Sequence, residues 1–245
     1  MPRLNKYIAS TGTCSRRKAD ELITEGKVRV NDSVITELGF YVREKDRVYI
    51  NGKIVKPMKL EYYRFYKPAG YITSSDDERG RKTIYDIIPP ELKHLKPVGR
   101  LDKDSTGLII LTNDGDLINE MTHPSIKVPK IYSVKINGKL THAQAEEMFN
   151  GIVIETDTGE QKKAFAEVFP IEITNKSSLV QVKLYQGINR QIRKMFAKLG
   201  FEVEVLKRIQ HATITLEGLK KGQVKIIKPK QIKELKGYLS KLTDN

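Results

Sequence analysis

The chain has 245 residues, enough for one large core or two domains, and its hydrophobic fraction of 39% is ordinary for a globular protein. A net charge of +14 favours a polyanionic partner, with nucleic acid ahead of an anionic membrane. The single cysteine, Cys14, excludes a disulfide framework, and the lack of both a roughly 18-residue apolar run and a signal-peptide core predicts a soluble, cytoplasmic protein.

Residues 1–59 are predicted to form a small helical domain. A first helix is expected from Leu4 to the break at Gly12, because apolar side chains recur there at helical spacing. Ser15 is placed to cap a second helix, which ends at Gly26. Residues 28–32 and 47–52 are strand candidates, and residues 54–59 are predicted to be a linker.

This segment is basic, with 13 Lys and Arg residues against 7 Asp and Glu residues, a net charge of +6. Arg16, Arg17 and Lys18 lie together at the predicted start of the second helix, where the helix dipole also favours anions. By itself, such a cluster is more often a solvated helix start. However, three stretches resemble the small RNA-binding domain first defined in ribosomal protein S-four: RLNKY from Arg3, SRRKA from Ser15 and GKVRVND from Gly26. The resemblance implies contacts with RNA phosphates for these residues: Arg3, Arg16, Arg17 and Lys18.

The second segment opens with an aromatic strand candidate, residues 62–66, followed by a turn at residues 67–70. Residues 74–82 are polar and charged, which indicates a loop. The short apolar run 84–88 is stopped by two prolines.

A polar loop, residues 99–107, precedes the apolar run 108–111. The apolar run favours a buried strand. Arg100 and Asp102 are therefore predicted to lie on a loop directly before a core strand, which is a rigid support for a reactive carboxylate. Two other acidic residues are interpreted as structural turn residues: Asp104 and Asp116.

Two other interpretations compete for this loop. A surface turn with solvated charges is the usual fate of an Asp-rich loop. A calcium loop would use Asp102, Asp104 and Thr106 as ligands, but it needs a bidentate Glu at its twelfth position and flanking helices. The twelfth position is Asn113, and Pro97 lies in the flank, so we reject the calcium loop.

Further along, a strand at residues 130–136 places Tyr132 on its apolar face, where a tyrosine is most often a core residue. Thr141 and Gln144 form a capping box for a helix that Gly151 closes. The remaining candidates are a helix at 117–121, strands at 152–154, 164–169, 179–185, 203–206, 213–216 and 224–227, and a short helix with a frayed tail from residue 230.

The stretch GINRQIRKM, residues 187–195, begins another helix. Ile192 and Met195 belong to a core stripe, which is the normal purpose of such spacing. Arg193 lies at the edge of that stripe, where an arginine needs an anionic partner or solvent.

Four motifs together resemble the RNA pseudouridine synthases of the RsuA/RluB/RluF branch: Lys-Pro-x-Gly from Lys67, GRLD with STGL and an apolar strand, Lys-x-Tyr-x-Val, and GINRQIRKM. The resemblance implies that Asp102 is catalytic, that Arg193 pairs with it, and that Tyr132 stacks on the target uracil. It also implies that Arg100 fills the space left by a flipped base. The further substrate contacts that it implies are Asn189, Arg190 and Ile192.

The resemblance implies isomerisation of uridine to pseudouridine in ribosomal RNA or a pre-ribosomal particle. The expected target is large-subunit rRNA near the peptidyl-transferase centre, with small-subunit rRNA as the alternative. This chemistry needs no metal or cofactor, and the four histidines show no paired metal spacing. A non-catalytic ribosome-assembly factor is the competing hypothesis, although binding alone would not require Asp102, Tyr132 and Arg193 together.

The expected fold is α+β, with a small helical N-terminal RNA-binding domain followed by a large mixed, mainly antiparallel sheet domain with flanking helices. The expected boundaries are 1–59 for the RNA-binding domain, 60–235 for the catalytic domain and 236–245 for a C-terminal tail. A monomer is expected.

Overall fold

The computed structural model describes residues 1–74, 77 and 79–243. The chain divides into two compact units, Met1–Glu61 with Asn113–Gly115, and Tyr62–Thr112 with Asp116–Asn245. Part of the predicted loop at 74–82 and the last two residues of the predicted tail lie outside the described residues. None of the helices in the described part of the chain combines the length and the apolar character needed to span a bilayer.

The N-terminal unit combines two helices with a small sheet, and both predicted helices are confirmed. Ser15 caps the second helix by accepting a hydrogen bond from the Lys18 backbone N–H. The elements are α1 (Leu4–Ser10), α2 (Arg16–Thr24), β1 (Val28–Val30), β2 (Ser33–Val34), β3 (Val48–Ile50) and β4 (Lys53–Val55), with the strands in the order β2-β1-β3-β4. The predicted linker at 54–59 begins too early, because Val55 pairs with Val48 and Ile54 with Tyr49.

In its described residues, the second unit is built on a nine-stranded sheet. The strands of this unit are β5 (Tyr62–Lys67), β6 (Lys96–Pro97), β7 (Thr106–Thr112), β8 (Lys130–Asn137), β9 (Ile152–Glu155), β10 (Gln161–Ala164), β11 (Glu167–Ile173), β12 (Ser177–Leu184), β13 (Val203–His211), β14 (Ile214–Thr215) and β15 (Val224–Ile226). The helices are α3 (Gly115–Thr122), α4 (His142–Asn150), α5 (Gln191–Lys198) and α6 (Pro229–Thr243).

The large sheet runs in the order β11-β12-β8-β13-β7-β5-β15, with β14 beside β13 and β6 beside β7. The pair β7 and β13 is parallel, while the other pairs among the described strands of this sheet are antiparallel. Strands β9 and β10 form a separate antiparallel pair. The predicted α+β fold with a mixed, mainly antiparallel sheet is confirmed.

Strand β7 lies at the centre of the unit and is buried on both faces. Leu108 and Ile110 point into one apolar cluster, which also contains side chains of α3 and α6. Ile109 and Leu111 point into the other, which contains side chains of α4 and α5. Residues 108–111 are a continuous apolar run for this reason, since alternate side chains of a strand face opposite sides of the sheet.

Gly107 allows β7 and β13 to approach each other closely. Its φ of 113° lies in the region that favours glycine, and a Cβ at this position would collide with the backbone of Arg208. The register of the parallel pair joins Gly107 to Arg208. This contact fixes β13 against the loop that precedes β7.

Three predicted features are wrong in detail. Residues 164–169 are not one strand, because β10 ends at Ala164 and β11 begins at Glu167. Asp116 lies in the first turn of α3, where a carboxylate is favoured by the helix dipole, and not in a turn. The expected tail from residue 236 continues α6 to Thr243, because Leu239 is buried in the core beside α3.

Candidate active site

The predicted reactive loop connects β6 to β7 and carries Asp102 on the rim of a deep cleft. The Asp102 side chain is 37% exposed, so its carboxylate is open to the cleft. The backbone of the loop is fixed at several points. Thr73 Oγ1 donates to the Leu101 carbonyl at 2.9 Å and accepts from the Leu101 N–H at 3.1 Å, and Gly70 N–H donates to the Lys103 carbonyl at 2.7 Å.

The side chain of Lys67 holds the same loop from below. Lys67 is fully buried, and its Nζ donates to the carbonyl oxygens of Pro68, Asp102 and Ser105 at 3.2, 2.9 and 2.8 Å. Burial lowers the pKa of Lys67 to about 8, against the opposing effect of the Asp102 and Asp104 carboxylates. The motif residue predicted as part of a turn is therefore an anchor of the loop that carries Asp102.

The cleft has a volume of about 800 Å³ and lies between the loop, β8, β13 and the start of α5. Tyr132 on β8 is buried and belongs to the core that lines one wall, as the alternation of β8 predicted. Six residues predicted for the site meet along this cleft: Arg100, Asp102, Tyr132, Asn189, Arg190 and Ile192.

Arg190 directly precedes α5 and has a left-handed backbone conformation, with φ 52° and ψ 29°. This conformation is uncommon for a residue with a side chain, and such residues concentrate at functional sites. The side chain of Arg190 extends from the start of α5 to the loop that carries Asp102 and Asp104. Its two Nη atoms donate to the Asp104 carboxylate at 3.1 and 3.2 Å, and its Nη1 lies 4.0 Å from Asp102 Oδ2.

The sequence comparisons agree with this geometry. Residues 61–198 match the family described as RNA pseudouridylate synthase, and residues 2–48 match the S4 domain. The chain belongs to the RNA pseudouridine synthases. It is 39% identical over 236 residues to Ribosomal large subunit pseudouridine synthase B of Bacillus subtilis, with 96% of each chain covered.

Two more distant relatives support the same family. The Dual-specificity RNA pseudouridine synthase RluF of Escherichia coli is 36% identical over 225 residues, which cover 90% of this chain and 73% of that protein. A crystal structure of a pseudouridylate synthase has a TM-score of 0.68 at 26% identity and covers 96% of this chain and 100% of that one. The protein is therefore an isomerase with an N-terminal S4 domain, as its motifs indicated.

In this RNA pseudouridine synthase, Arg193 does not pair with the residue that the family resemblance implied. Its Nε lies 3.2 Å from Asp104 Oδ2, at an angle outside hydrogen-bond geometry, and its Nη1 donates to the Val203 carbonyl at 2.9 Å. Arg193 and Asp102 form no ion pair within 4.0 Å, because Asp104 is the carboxylate of the loop that faces α5. The predicted Arg193–Asp102 pair is wrong for this structure, and Asp104 is an ion-pair partner rather than a simple turn residue.

The S4 domain of the synthase exposes all four of its predicted RNA contacts. Arg3 donates from Nε to the Tyr41 hydroxyl at 3.4 Å, and Lys18 pairs with Glu21 at 2.6 Å. Arg16 and Arg17 form no ion pair with any described residue. Three of the four cations, Arg3, Arg16 and Arg17, are therefore available to a polyanion without breaking an ion pair to a described residue.

Sequence reasoning missed three residues that shape the cleft. Lys67 is a fully buried cation and Arg208 a nearly fully buried one, while Lys130 is half-buried at the start of β8. Lys67 could have been suspected, because it ends an aromatic strand and shares its motif with a proline turn. Arg208 lies in a strand that was predicted to stop at residue 206, so no pattern marked it. Among the described residues, no three His, Cys, Asp or Glu side chains are grouped to hold a metal ion.

Replacing Lys67 with methionine should lower the free energy of unfolding by about 2–4 kcal/mol, because buried carbonyl oxygens lose their donor. Chemical denaturation at neutral pH measures this change. Arg64→Met is the matched control, since Arg64 also donates to backbone carbonyls, but to those of Thr215 and Glu217 and not to the loop that carries Asp102. Equal effects of the two substitutions on the activity of the folded enzyme would contradict a special role for Lys67 in holding the loop.

Asp104→Asn should cost about 1 kcal/mol of stability at pH 7, since the ion pairs are half-exposed. Burial raises the pKa of Asp104, but the hydrogen bond from Arg190 and the charges of Arg193 and Arg190 hold it below its usual value. A lowered pKa in the folded state stabilises the fold at every pH above the unfolded-state pKa of about 4. This stabilisation is lost as the pH falls through the folded-state pKa. The difference between wild type and Asp104→Asn in denaturant titrations should therefore shrink from pH 7 to pH 3.

Glu172→Gln is the control for this titration, because Glu172 is exposed on β11 and lies away from the loop. Its effect should be near zero and independent of pH. A stability difference for Asp104→Asn that stayed constant down to pH 3 would show that the Asp104 carboxylate is not held by the arginines.

Proposed function

We propose that this synthase converts a uridine of large-subunit (23S) ribosomal RNA to pseudouridine, near the peptidyl-transferase centre. The observation that carries the target is the near full-length identity of 39% to Ribosomal large subunit pseudouridine synthase B of Bacillus subtilis. The match includes both the S4 domain and the catalytic unit, so it extends beyond the catalytic motifs that many pseudouridine synthases share.

Asp102 is proposed as the catalytic carboxylate. The isomerisation breaks the C1′–N1 bond of uridine, turns the base and forms a C1′–C5 bond, with no change in the atom count. A carboxylate that acts as nucleophile or base on the sugar or the base needs to be ionised and open to the substrate. The side chain of Asp102 is partly exposed to the cleft, and Lys67 fixes its backbone, so the carboxylate is accessible in a defined position.

The other residues of the cleft are proposed to hold the target nucleotide. Tyr132 stacks on the uracil, and Ile192 packs against it from α5. Arg100 fills the space that the flipped base leaves in the RNA. Asn189 and Arg190 contact the RNA at the mouth of the cleft. Arg193 acts through Asp104, which it helps to hold, and so positions the loop.

The S4 domain is proposed to supply affinity and placement. Contacts of Arg3, Arg16, Arg17 and Lys18 with phosphates would position the RNA without specifying its sequence. The catalytic unit would then select the nucleotide that enters the cleft. In this proposal the enzyme works as a monomer on rRNA or on a pre-ribosomal particle.

Mapping pseudouridines in the 23S, 16S and transfer RNA of a strain that lacks this protein tests the target. We expect a single missing site in 23S rRNA, restored by the wild-type gene. The Asp102→Asn protein should fold and bind RNA but fail to restore the site, whereas Asp116→Asn should restore it. A missing site in 16S rRNA would contradict the proposed target, and restoration by Asp102→Asn would contradict the catalytic role of Asp102.

Neutralising Arg16 and Arg17 together as glutamines should weaken rRNA binding and reduce the salt slope of log affinity by about one unit for each phosphate-binding side chain that is neutralised. Binding of a 23S fragment measured between low and moderate salt gives both numbers. The maximal rate at saturating enzyme should stay close to that of wild type, because the catalytic residues are untouched. Neutralising Lys220 and Lys221, exposed residues of the catalytic unit, is the control. If the salt slope of RNA binding is unchanged in the Arg16 and Arg17 variant, these arginines are only solvated side chains at the start of α2 and do not bind phosphates.

A further inference from the structure

Arg208 is a buried cation without a carboxylate partner in the wall of the cleft. It is 1% exposed, and its Nε donates to the Leu108 carbonyl at 2.7 Å. Its Nη2 is also buried and has no hydrogen-bond partner among the residues that the structure describes. No salt bridge joins it to any acidic residue in the described part of the chain. A buried charge with an unused donor is costly, so a native structure that keeps one calls for an explanation.

A second cation, Lys130, lines the same cleft at the start of β8. Its Nζ donates to the Val128 carbonyl at 3.2 Å, and it too has no ion pair with a described residue. Burial and the charge of Arg208 lower the pKa of Lys130 to about 8. The two cations therefore repel each other, and this part of the cleft has a positive potential that the described residues do not neutralise.

Arg208 is the cross-strand neighbour of Tyr132. The register of β13 and β8 pairs these two residues, and paired side chains on antiparallel strands lie on the same face, about 5 Å apart at Cβ. A base that stacks on Tyr132 therefore lies next to Arg208. The surrounding wall is apolar, with Leu184, Ile192 and Leu206 in the same cleft, and suits a flat ring.

We propose that Arg208, assisted by Lys130, binds the carbonyl oxygens of the detached uracil and stabilises its negative charge. When the C1′–N1 bond breaks, its electron pair stays with the base and spreads over N1 and the two carbonyl oxygens. After the base turns, C5 forms the new bond to C1′ and loses its proton, while N1 gains one. A cation fixed beside the oxygens lowers the energy of the charged base and of the transition state that leads to it.

A phosphate ligand is the less suitable occupant for Arg208. A phosphodiester is bulky and strongly hydrated, whereas Arg208 is almost completely removed from solvent. Lys162 and Lys163 line the same cleft and are exposed, so they are better placed for the RNA backbone. This inference rests on the proposed position of the base at Tyr132, and it does not depend on which RNA is modified.

The first test uses two free ligands with the same pyrimidine ring and needs no RNA. Barbiturate carries one negative charge spread over its oxygens at neutral pH, whereas uracil is neutral. We expect the wild-type protein to bind barbiturate at least tenfold more tightly than uracil, measured by chemical-shift titration. Arg208→Gln should abolish this preference, Lys130→Met should reduce it, and Arg64→Gln should leave it unchanged. No binding of barbiturate, or equal binding of the two ligands by wild type, would overturn the proposal.

The second test measures the reaction itself under single-turnover conditions with saturating enzyme and the 23S fragment. Arg208→Gln should lower the rate constant about 100-fold or more, the loss seen when a donor to a developing anion is removed. RNA affinity should stay unchanged. Arg208→Lys keeps the charge and should recover part of the rate. It also provides a second measurement if the glutamine variant does not fold.

Two results of the second test would overturn the proposal. Weaker RNA binding with a smaller salt slope and an unchanged rate would make Arg208 a phosphate contact. An unchanged rate and unchanged binding would make it a structural residue of β13. If wild type fails on the 23S fragment but prefers barbiturate through Arg208, the proposed rRNA target is wrong while the role of Arg208 stands.

Discussion

The active site depends on the hydrogen bonds that the buried ammonium group of Lys67 donates to the backbone of the Asp102 loop. This group donates to three carbonyl oxygens, and two of them belong to Asp102 and Ser105 in the catalytic loop. A loop of this kind has no regular hydrogen-bonding pattern of its own, so its conformation has to be imposed from outside. The fully buried Lys67 does this together with Thr73 and Gly70, and it adds a positive charge near the carboxylates of Asp102 and Asp104.

Strand β7 turns this local arrangement into a rigid site. It is covered on both faces by separate apolar clusters, and it joins the catalytic loop to the middle of the sheet. The close approach at Gly107 brings β13 alongside, and β13 in turn pairs with β8. Tyr132, Arg208 and Asp102 come from three different parts of the chain, and this sheet order is what places them around one cleft.

The charges around the cleft fall into two groups. Arg190 and Arg193 both form ion pairs with Asp104. Asp102 has one longer contact, 4.0 Å from Arg190, and its carboxylate stays open to the cleft. In the same cleft, Arg208 on β13 and Lys130 on β8 lack carboxylate partners among the described residues. A carboxylate at the loop and cations beside Tyr132 suit a reaction in which the sugar and the base separate as oppositely charged fragments. In the proposed reaction, Asp102 and the two cations stabilise opposite charges at the two ends of the breaking bond.

The sequence by itself determined the family, the fold class and most of the elements. Strong local signals carried these predictions: the cap at Ser15, the capping box at Thr141, the continuous apolar run of β7 and the alternation of β8. The motifs also identified six residues that line the cleft, because a family motif marks a residue by its place in the sequence, without knowledge of its position in the folded chain. Errors arose where local patterns are weak, as at the break between β10 and β11 and in the continuation of α6 to Thr243.

Only the tertiary structure decided which charged groups meet. The motif implied that Arg193 pairs with Asp102, but the direction of α5 and the left-handed residue at Arg190 bring Asp104 to both arginines. The burial of Arg208 was invisible, because burial of a single charged side chain leaves no periodic trace in a sequence, and Lys67 was marked only by its motif. Ion pairing depends on distances of a few ångströms between residues far apart along the chain. Those distances are set by strand order and by close contacts such as the one at Gly107, and the pattern of residue types does not contain them.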